Sequence, residues 1–212
     1  MCGFVGIFNL NQEAQNYKYS ILEMTEEIKH RGPDDEGYLF IKDNKTYIFG
    51  GDDTPKFAKE SVITYFPKAH IKNINIKSEI TFGFRRLAIQ DLSIAGHQPM
   101  SYLDRYWIVF NGEIYNYPEL KEELISSGYA FSTETDTEVI MAAYDKWGKE
   151  CLNKFNGMWA FIIYDIKERR LFVSRDRFGI KPLNYYVDEN VLIFASEIKS
   201  ILKYSSKKQL QI

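Results

Sequence analysis

An α+β fold, with packed sheets and helices outside them, is predicted for this chain on three observations. The segments Trp107-Ile108-Val109-Phe110, Phe161-Ile162-Ile163-Tyr164 and Val191-Leu192-Ile193-Phe194 are apolar throughout, as strands are when both faces of a sheet are covered. Helical patterns are segregated along the chain from hairpin-like runs of strands, which suits sheets packed together beneath helices. Hydrophobic residues make up 45% of the 212, with 15 Tyr and 15 Phe. That is enough to fill a core, and burial arithmetic favours one domain over residues 1–212 and excludes intrinsic disorder.

Each element follows from its local pattern. Gly3 to Phe8 is short and apolar and is predicted as a strand. Tyr17 to Lys29 carries Ile21, Met24 (or Leu22) and Ile28 at helical spacing, and Arg31-Gly32-Pro33-Asp34 stops that helix and opens a loop. Strands are predicted over Thr81 to Ile89 and Tyr106 to Phe110, and helices over Tyr117 to Ser127 and Asp136 to Trp147. The last of these sets Val139, Ile140, Ala143, Tyr144 and Trp147 on one side. Strands return over Met158 to Tyr164, Arg170 to Ser174, Leu183 to Val187 and Val191 to Ala195. A short helix, Glu197 to Leu202, and a polar, Lys-containing tail close the chain. Residues 41–80, with Gly50-Gly51, Asp52-Asp53 and Pro55, fit none of these patterns and are expected to form an insertion or long excursion.

Charge and composition exclude several classes. With 27 Lys and Arg against 29 Asp and Glu, the net charge of −2 gives no general attraction to nucleic acid or an anionic membrane. The longest apolar stretch, Met158 to Tyr164, is far short of the roughly 20 residues a membrane helix needs. No basic segment precedes an apolar one at the start, so no export signal is expected and the expected compartment is the cytoplasm. Cys2 and Cys151 make no disulfide framework, and none of the three His stands at metal-ligand spacing with them, so no metal site is expected. Neither GxxxxGK[ST] nor GxGxxG occurs, which leaves nucleotide binding without support.

Four features could carry chemistry. Cys2 would become N-terminal if Met1 were removed; an α-amine titrating at about 7.7–8.0 could then take the thiol proton, although a Cys after Met1 often means nothing. Asn111-Gly112 follows an apolar strand. Taken alone it reads as a hairpin turn, while its functional alternative is an oxyanion hole built from a side-chain amide and a backbone N–H. Arg86, on the face of Phe82 and Phe84, must find an anion, ordinarily a structural carboxylate, alternatively that of a substrate. Asp136, in Thr135-Asp136-Thr137-Glu138, is sufficiently explained by a capping box, and its sharper role would be to accept from a substrate ammonium. Arg86 and Asp136 together would hold a free α-amino acid by both ends. Cys151 reads as a structural thiol, and His97 as a residue satisfying loop backbone groups.

Taken in order, the segments Met1-Cys2-Gly3, Arg31-Gly32-Pro33-Asp34, Arg86-Leu87-Ala88-Ile89, Gly96-His97-Gln98-Pro99-Met100 and Asn111-Gly112-Glu113-Ile114-Tyr115-Asn116 form a pattern. It continues through Thr135-Asp136-Thr137-Glu138, Arg175-Asp176-Arg177-Phe178-Gly179-Ile180-Lys181-Pro182 and Ala195-Ser196-Glu197-Ile198-Lys199. This pattern closely resembles the glutaminase domain of glutamine-hydrolysing asparagine synthetases, a class II glutamine amidotransferase domain, over nearly the whole chain except about residues 41–80.

The resemblance implies the N-terminal-nucleophile hydrolase fold, a four-layer αββα sandwich of two mainly antiparallel sheets, and hydrolysis of L-glutamine to glutamate and ammonia. By carry-over Cys2 is the nucleophile, forming a glutamyl thioester with its own α-amine as base, and Asn111 and Gly112 form the oxyanion hole. Arg86 binds the substrate carboxylate, Glu113 and Asp136 its ammonium, and backbone groups of Leu87 and Ile89 complete the pocket. No cofactor is implied for this domain. ATP and magnesium belong to a C-terminal synthetase domain that amidates aspartate, and its Ser-Gly-Gly-x-Asp-Ser loop does not occur here. The chain is therefore expected to be an excised domain, with a stand-alone glutaminase as the second choice. Expected partners are L-glutamine and that synthetase domain, with a homodimer left open, and neither nucleic acid nor membrane. About 50 residues separate the Arg-Gly-Pro-Asp loop from Arg86, more than in family members with a short connection. The alternative from a different class is a catalytically silent binding or regulatory domain of a synthetase.

Overall fold

The computed structural model describes residues 1–11, 13–55, 63–89 and 91–205. Two antiparallel sheets form its middle. The larger contains β1 (Gly3–Asn9), β2 (Asp35–Lys42), β3 (Lys45–Gly50), β4 (Ile80–Arg86), β9 (Asn184–Val187) and β10 (Val191–Ala195), in the order β3-β2-β4-β1-β10-β9. The smaller contains β5 (Met100–Tyr102), β6 (Tyr106–Ile114), β7 (Gly157–Asp165) and β8 (Arg170–Arg175), in that order.

Period-2 alternation assigns the two faces of the larger sheet. Phe4 and Phe8 of β1, Leu39 and Ile41 of β2, and Phe82 and Phe84 of β4 join the core that includes Trp107–Phe110 and Phe161–Ile163 of the smaller sheet. The intervening Val5, Ile7, Tyr38 and Phe40 turn the other way and pack with Ile21, Met24 and Ile201, which belong to α1 (Lys18–Glu26) and α4 (Ile198–Ser205). The helices α2 (Tyr117–Ile125) and α3 (Asp136–Trp147) cover the smaller sheet, with Leu120, Leu124, Val139, Ile140 and Ala143 buried. The layers run helix, sheet, sheet, helix, as the sequence pattern and the resemblance together predict. None of the described helices is long and apolar enough to cross a membrane.

Three expectations are corrected. Asn111 and Gly112 do not turn. They lie inside β6 and pair with Ala160 and Trp159 of β7, because register with a buried partner strand outweighs local turn preference. The strand expected to reach Ile89 ends at Arg86, where Asp34 Oδ2 accepts from Ala88 N (2.9 Å) and the chain bends toward Cys2. The excursion expected at 41–80 begins as regular sheet: residues 41–42 complete β2 and β3 forms the sheet edge, across a turn in which Asp43 (φ 50°) and Asn44 (φ 59°) are both left-handed. Asp and Asn tolerate that region, and a two-residue loop of this kind matches the twist of a hairpin. Residues 56–62 of this segment and the expected tail at 206–212 lie outside the described residues.

Candidate active site

A cavity of about 140 Å³ opens where the two sheets meet at the start of β1, and every sequence-predicted site residue lines it: Cys2, Arg86, Leu87, Ile89, Asn111, Gly112, Glu113 and Asp136. Ile89 does so from an exposed position on the rim, 72% accessible.

Cys2 is carried in by β1. Its Sγ sits against the backbone of Leu87, donating to the carbonyl at 3.6 Å and accepting from N–H at 3.4 Å. Burial pushes the thiol pKa up, and the Leu87 N–H, the N-terminal charge and Arg86 partly offset it. The amine at this end of the chain is that of Met1, and burial pushes it below its usual value, with Cys2 opposing this and Arg31 and Lys181 assisting it.

The outer edge of β6 supplies the donors. Trp159, opposite Gly112, uses both its backbone groups toward Asp176: its carbonyl accepts from Asp176 N (2.8 Å) and its N–H donates to Asp176 Oδ2 (3.2 Å). Directly opposed residues in an antiparallel pair exchange two hydrogen bonds or none, so the Gly112 N–H points away from β7. It shares that edge with the N–H groups of Phe110 and Ile114. Phe110 donates to Gln98 Oε1 (2.7 Å) and Ile114 to Asp136 Oδ2 (3.0 Å), while the Gly112 N–H between them faces the cavity that Gly112 lines. The Asn111 amide satisfies its surroundings with Nδ2 donating to the Cys2 carbonyl (3.2 Å) and Oδ1 accepting from Arg31 Nη2 (3.2 Å). Asn111 and Gly112 line the cavity side by side.

No side chain fits at Gly112. A Cβ there would lie 2.4 Å from the Met158 carbonyl oxygen and 2.8 Å from Trp159 Cα. Backbone cannot swing aside as a side chain can, and overpacking of this kind costs about 1–3 kcal/mol. Gly112→Ala is expected to lower Tm by about 2–12 °C in a thermal melt followed by circular dichroism. An unchanged Tm would contradict the close approach.

The charged ends of the cavity are now placed. Arg86 is buried and meets no structural carboxylate, the ordinary expectation for it. Instead its guanidinium donates to the backbone carbonyls of Ser93 (Nη1, 2.7 Å) and Asp91, and it has no ion pair among the described residues. Carbonyls fix its direction without neutralising it, so an anion entering the cavity meets a full charge. Gly96 gives it room, since a Cβ there would fall 2.0 Å from Nη2. Asp136, also buried and without an ion pair among the described residues, has its pKa pushed up to about 6, chiefly by burial and further by Glu113, against the pull of the Ile114 N–H. The predicted capping box is half present: Thr135 Oγ1 accepts from Glu138 N (3.3 Å), but the Glu138 carboxylate turns to Ser132 and Thr133 instead of closing the box.

His97 does not satisfy loop backbone groups. It is fully buried, with Nδ1 2.7 Å from Asp35 Oδ2, its ring packs on Phe66, and Nε2 has no partner among the described residues. Cys151 is a buried thiol pushed up to about 12 by burial, in keeping with a structural role.

Three contributors carry no role in the sequence reading. Gln98 links Phe110 N to Thr137 Oγ1. Lys181 lines the cavity from a loop in which the Asp176 carboxylate accepts from the N–H groups of Phe178, Ile180 and Lys181. Burial alone would raise the Asp176 pKa, and these N–H groups and that of Trp159 outweigh it. Arg31 touches both Cys2 and Asn111. All three lie in motifs the sequence displays, but nothing in their spacing says that they converge.

Comparison with known proteins accords with this geometry. The family profile described as "glutamine amidotransferase domain" matches residues 69–211. The chain is 42% identical to the glutamine-hydrolyzing asparagine synthetase 1 of Bacillus subtilis (strain 168), over 95% of this chain and 27% of that protein. It is 31% identical to asparagine synthetase 3 of the same organism, over 98% of this chain and 28% of the relative. The chain thus spans little more than a quarter of the length of these relatives. Among solved structures, a glutamine phosphoribosylpyrophosphate amidotransferase from B. subtilis superposes with a TM-score of 0.73, over 94% of this chain and 43% of that one, at 21% identity. That likeness is one of fold.

Proposed function

This chain belongs to the glutamine amidotransferase domain family, and from that premise we propose that it hydrolyses the side-chain amide of L-glutamine through a thioester on Cys2. The observation that carries the reading is the convergence, in one small cavity, of the Cys2 sulfur, the cavity-facing N–H of Gly112 beside the Asn111 amide, and the uncompensated charges of Arg86 and Asp136.

In this reading Met1 has been excised and the Cys2 α-amine takes the thiol proton. The sulfur attacks the side-chain carbonyl carbon, and the oxygen becomes an anion held by Asn111 Nδ2 and the Gly112 N–H. Donors fixed before charge develops contribute most, each removal costing ~2.7–4 kcal/mol. The C–N bond then breaks, the ammonium form of the α-amine returns its proton to the departing nitrogen, and ammonia leaves. Water cleaves the thioester to glutamate and restores the thiol. Arg86 takes the substrate carboxylate, and Asp136 with Glu113 takes its ammonium. The rim residues Leu87 and Ile89 contribute backbone groups. None of these steps draws on a metal or nucleotide within this chain.

The ammonia acceptor lies beyond these residues. The relatives' names point to an asparagine synthetase, so the proposed destination is an ATP- and magnesium-dependent amidation of aspartate by a fused or partnering synthetase domain. The proposed setting is the cytoplasm, where a thiol nucleophile stays reduced.

The test is glutamate release from L-glutamine by purified protein, with Cys2→Ala as control. Turnover that vanishes in the variant supports the reading, whereas equal turnover in both contradicts it. A pH dependence follows from Asp136. It must be ionised to hold an ammonium, so kcat/KM is expected to fall about tenfold per unit as pH drops below about 6. A profile flat between pH 5 and 7 would remove Asp136 from substrate binding.

A further inference from the structure

Arg31 is almost fully enclosed, its side chain 8% accessible, and it holds two parts of the site at once. Its Nε donates to the Cys2 carbonyl at 2.9 Å, and its Nη2 faces Asn111 Oδ1 at 3.2 Å. The second contact decides which way the Asn111 amide points. A guanidinium has only donors, so the amide oxygen must face it and the nitrogen must face Cys2 and the cavity. The remaining nitrogen of Arg31, Nη1, donates to Glu197 Oε1 at 2.9 Å. Glu197 stands between β10 and α4, directly after Ser196, which is locked to Phe4 of β1: Ser196 Oγ accepts from Phe4 N and Ser196 N donates to Phe4 O, both at 3.0 Å. The carboxylate is therefore fixed to the same strand that delivers Cys2. His30 Nε2 (2.9 Å) and Lys199 Nζ (3.3 Å) also reach it. Burial would raise the Glu197 pKa, but these partners, Arg31 first, hold it at about 2, so the carboxylate stays charged throughout the working pH range.

We propose that Glu197 is a positioning residue for amide hydrolysis, acting through Arg31 to keep the Asn111 amide nitrogen turned toward the developing oxyanion. The inference rests on the glutaminase reading and deepens it. Glu197 touches neither the substrate cavity nor the sulfur. Its removal leaves Arg31 Nη1 without its carboxylate and the guanidinium held on that side by the Cys2 carbonyl alone, and a guanidinium free to pivot about that bond releases the amide to rotate. A donor that must reorganise during the reaction loses much of its worth, and losing one oxyanion donor outright costs about 10²–10³ in kcat.

The test combines kinetics with a measurement that does not depend on turnover. Glu197→Gln is expected to lower kcat about tenfold or more while leaving KM for glutamine within about threefold, and Glu197→Asp is expected to recover part of the loss. Adding Glu197→Gln to an Arg31→Met variant should cost nothing more, because two residues acting in series are not additive. In parallel, the side-chain amide cross-peaks of Asn111 are recorded by ¹⁵N NMR and assigned by their loss in Asn111→Ala. They are expected to move or broaden in Glu197→Gln while the thermal melt stays cooperative. An unchanged kcat, additive losses in the double variant, or unmoved Asn111 cross-peaks would each overturn the proposal. Absent turnover in the wild type together with shifted Asn111 peaks would instead fault the glutaminase reading and leave the positioning contact standing.

Discussion

Replacing Cys2 by alanine is expected to reduce glutamine hydrolysis by at least about 10⁴-fold, the scale on which enzymes lose activity when a covalent nucleophile is removed. Tm is expected to stay within a few degrees of the wild type. Among the described residues the sulfur's two hydrogen bonds are both long and both to Leu87, and Cys2 lies only at the margin of the core it packs against, so its stabilising part is small. Its chemical part has no substitute among the described residues. Cys151 is fully buried, is not among the residues that line the cavity, and is held protonated by its surroundings. The resting Cys2 thiol is itself neutral because burial penalises the thiolate, so it depends on a base. While Met1 is attached, the Cys2 nitrogen is an amide and cannot serve. A chain that keeps Met1 is therefore expected to bind glutamine but not to cleave it, which intact mass and a binding isotherm on the same sample would check.

The second large effect is expected at Asp136. Asp136→Asn should lower kcat/KM for glutamine by about 30-fold or more, since losing one partner of a buried charge pair costs about 2–5 kcal/mol. Stability should move the other way. The native carboxyl titrates near 6 against 3.8 for the unperturbed group. Between these values the folded chain holds a proton that the unfolded chain has lost, so this group's contribution to stability declines as pH rises through that window. At pH 7 the buried carboxylate is a net cost. An asparagine oxygen can still accept from Ile114 N, now at 3.0 Å from Asp136 Oδ2, without the charge. Tm of the variant at pH 7 is expected to equal or exceed that of the wild type, a stability gained by giving up function. A variant that loses both activity and several degrees of Tm would mean that the carboxylate serves the helix start and not the ligand.

Much of this was legible beforehand because it depends on local chemistry. The spacing of Val139, Ile140 and Ala143 predicts α3 with the bounds observed, Asp136–Trp147, and the apolar run Val191–Ala195 predicts β10 likewise. Cys2, Arg86 and Asp136 stand out as reactive or charged groups in places where they need an explanation. What was hidden depends on pairing. Asn111-Gly112 has turn chemistry and becomes strand only because Ala160 and Trp159 stand opposite. Its value to the site comes from an edge N–H whose direction no single segment defines. The pairing of His97 with Asp35 spans 62 positions and that of Arg31 with Glu197 spans 166. A one-dimensional pattern carries no distance between such residues. The hairpin of β2 and β3 was missed for a different reason: its turn is Asp43-Asn44, less emphatic than an Asn-Gly pair.

The central claim is that Cys2, freed of Met1, carries the glutamyl group. It is tested most directly by mixing the protein with L-glutamine, quenching in acid within a turnover, and reading the intact and peptide masses. The predicted result is a chain that begins at Cys2 and gains one glutamyl group with loss of ammonia, the adduct mapping to the first peptide and absent from Cys2→Ala. An adduct on Cys151, or glutamate released with no adduct from a chain that still carries Met1, would contradict it.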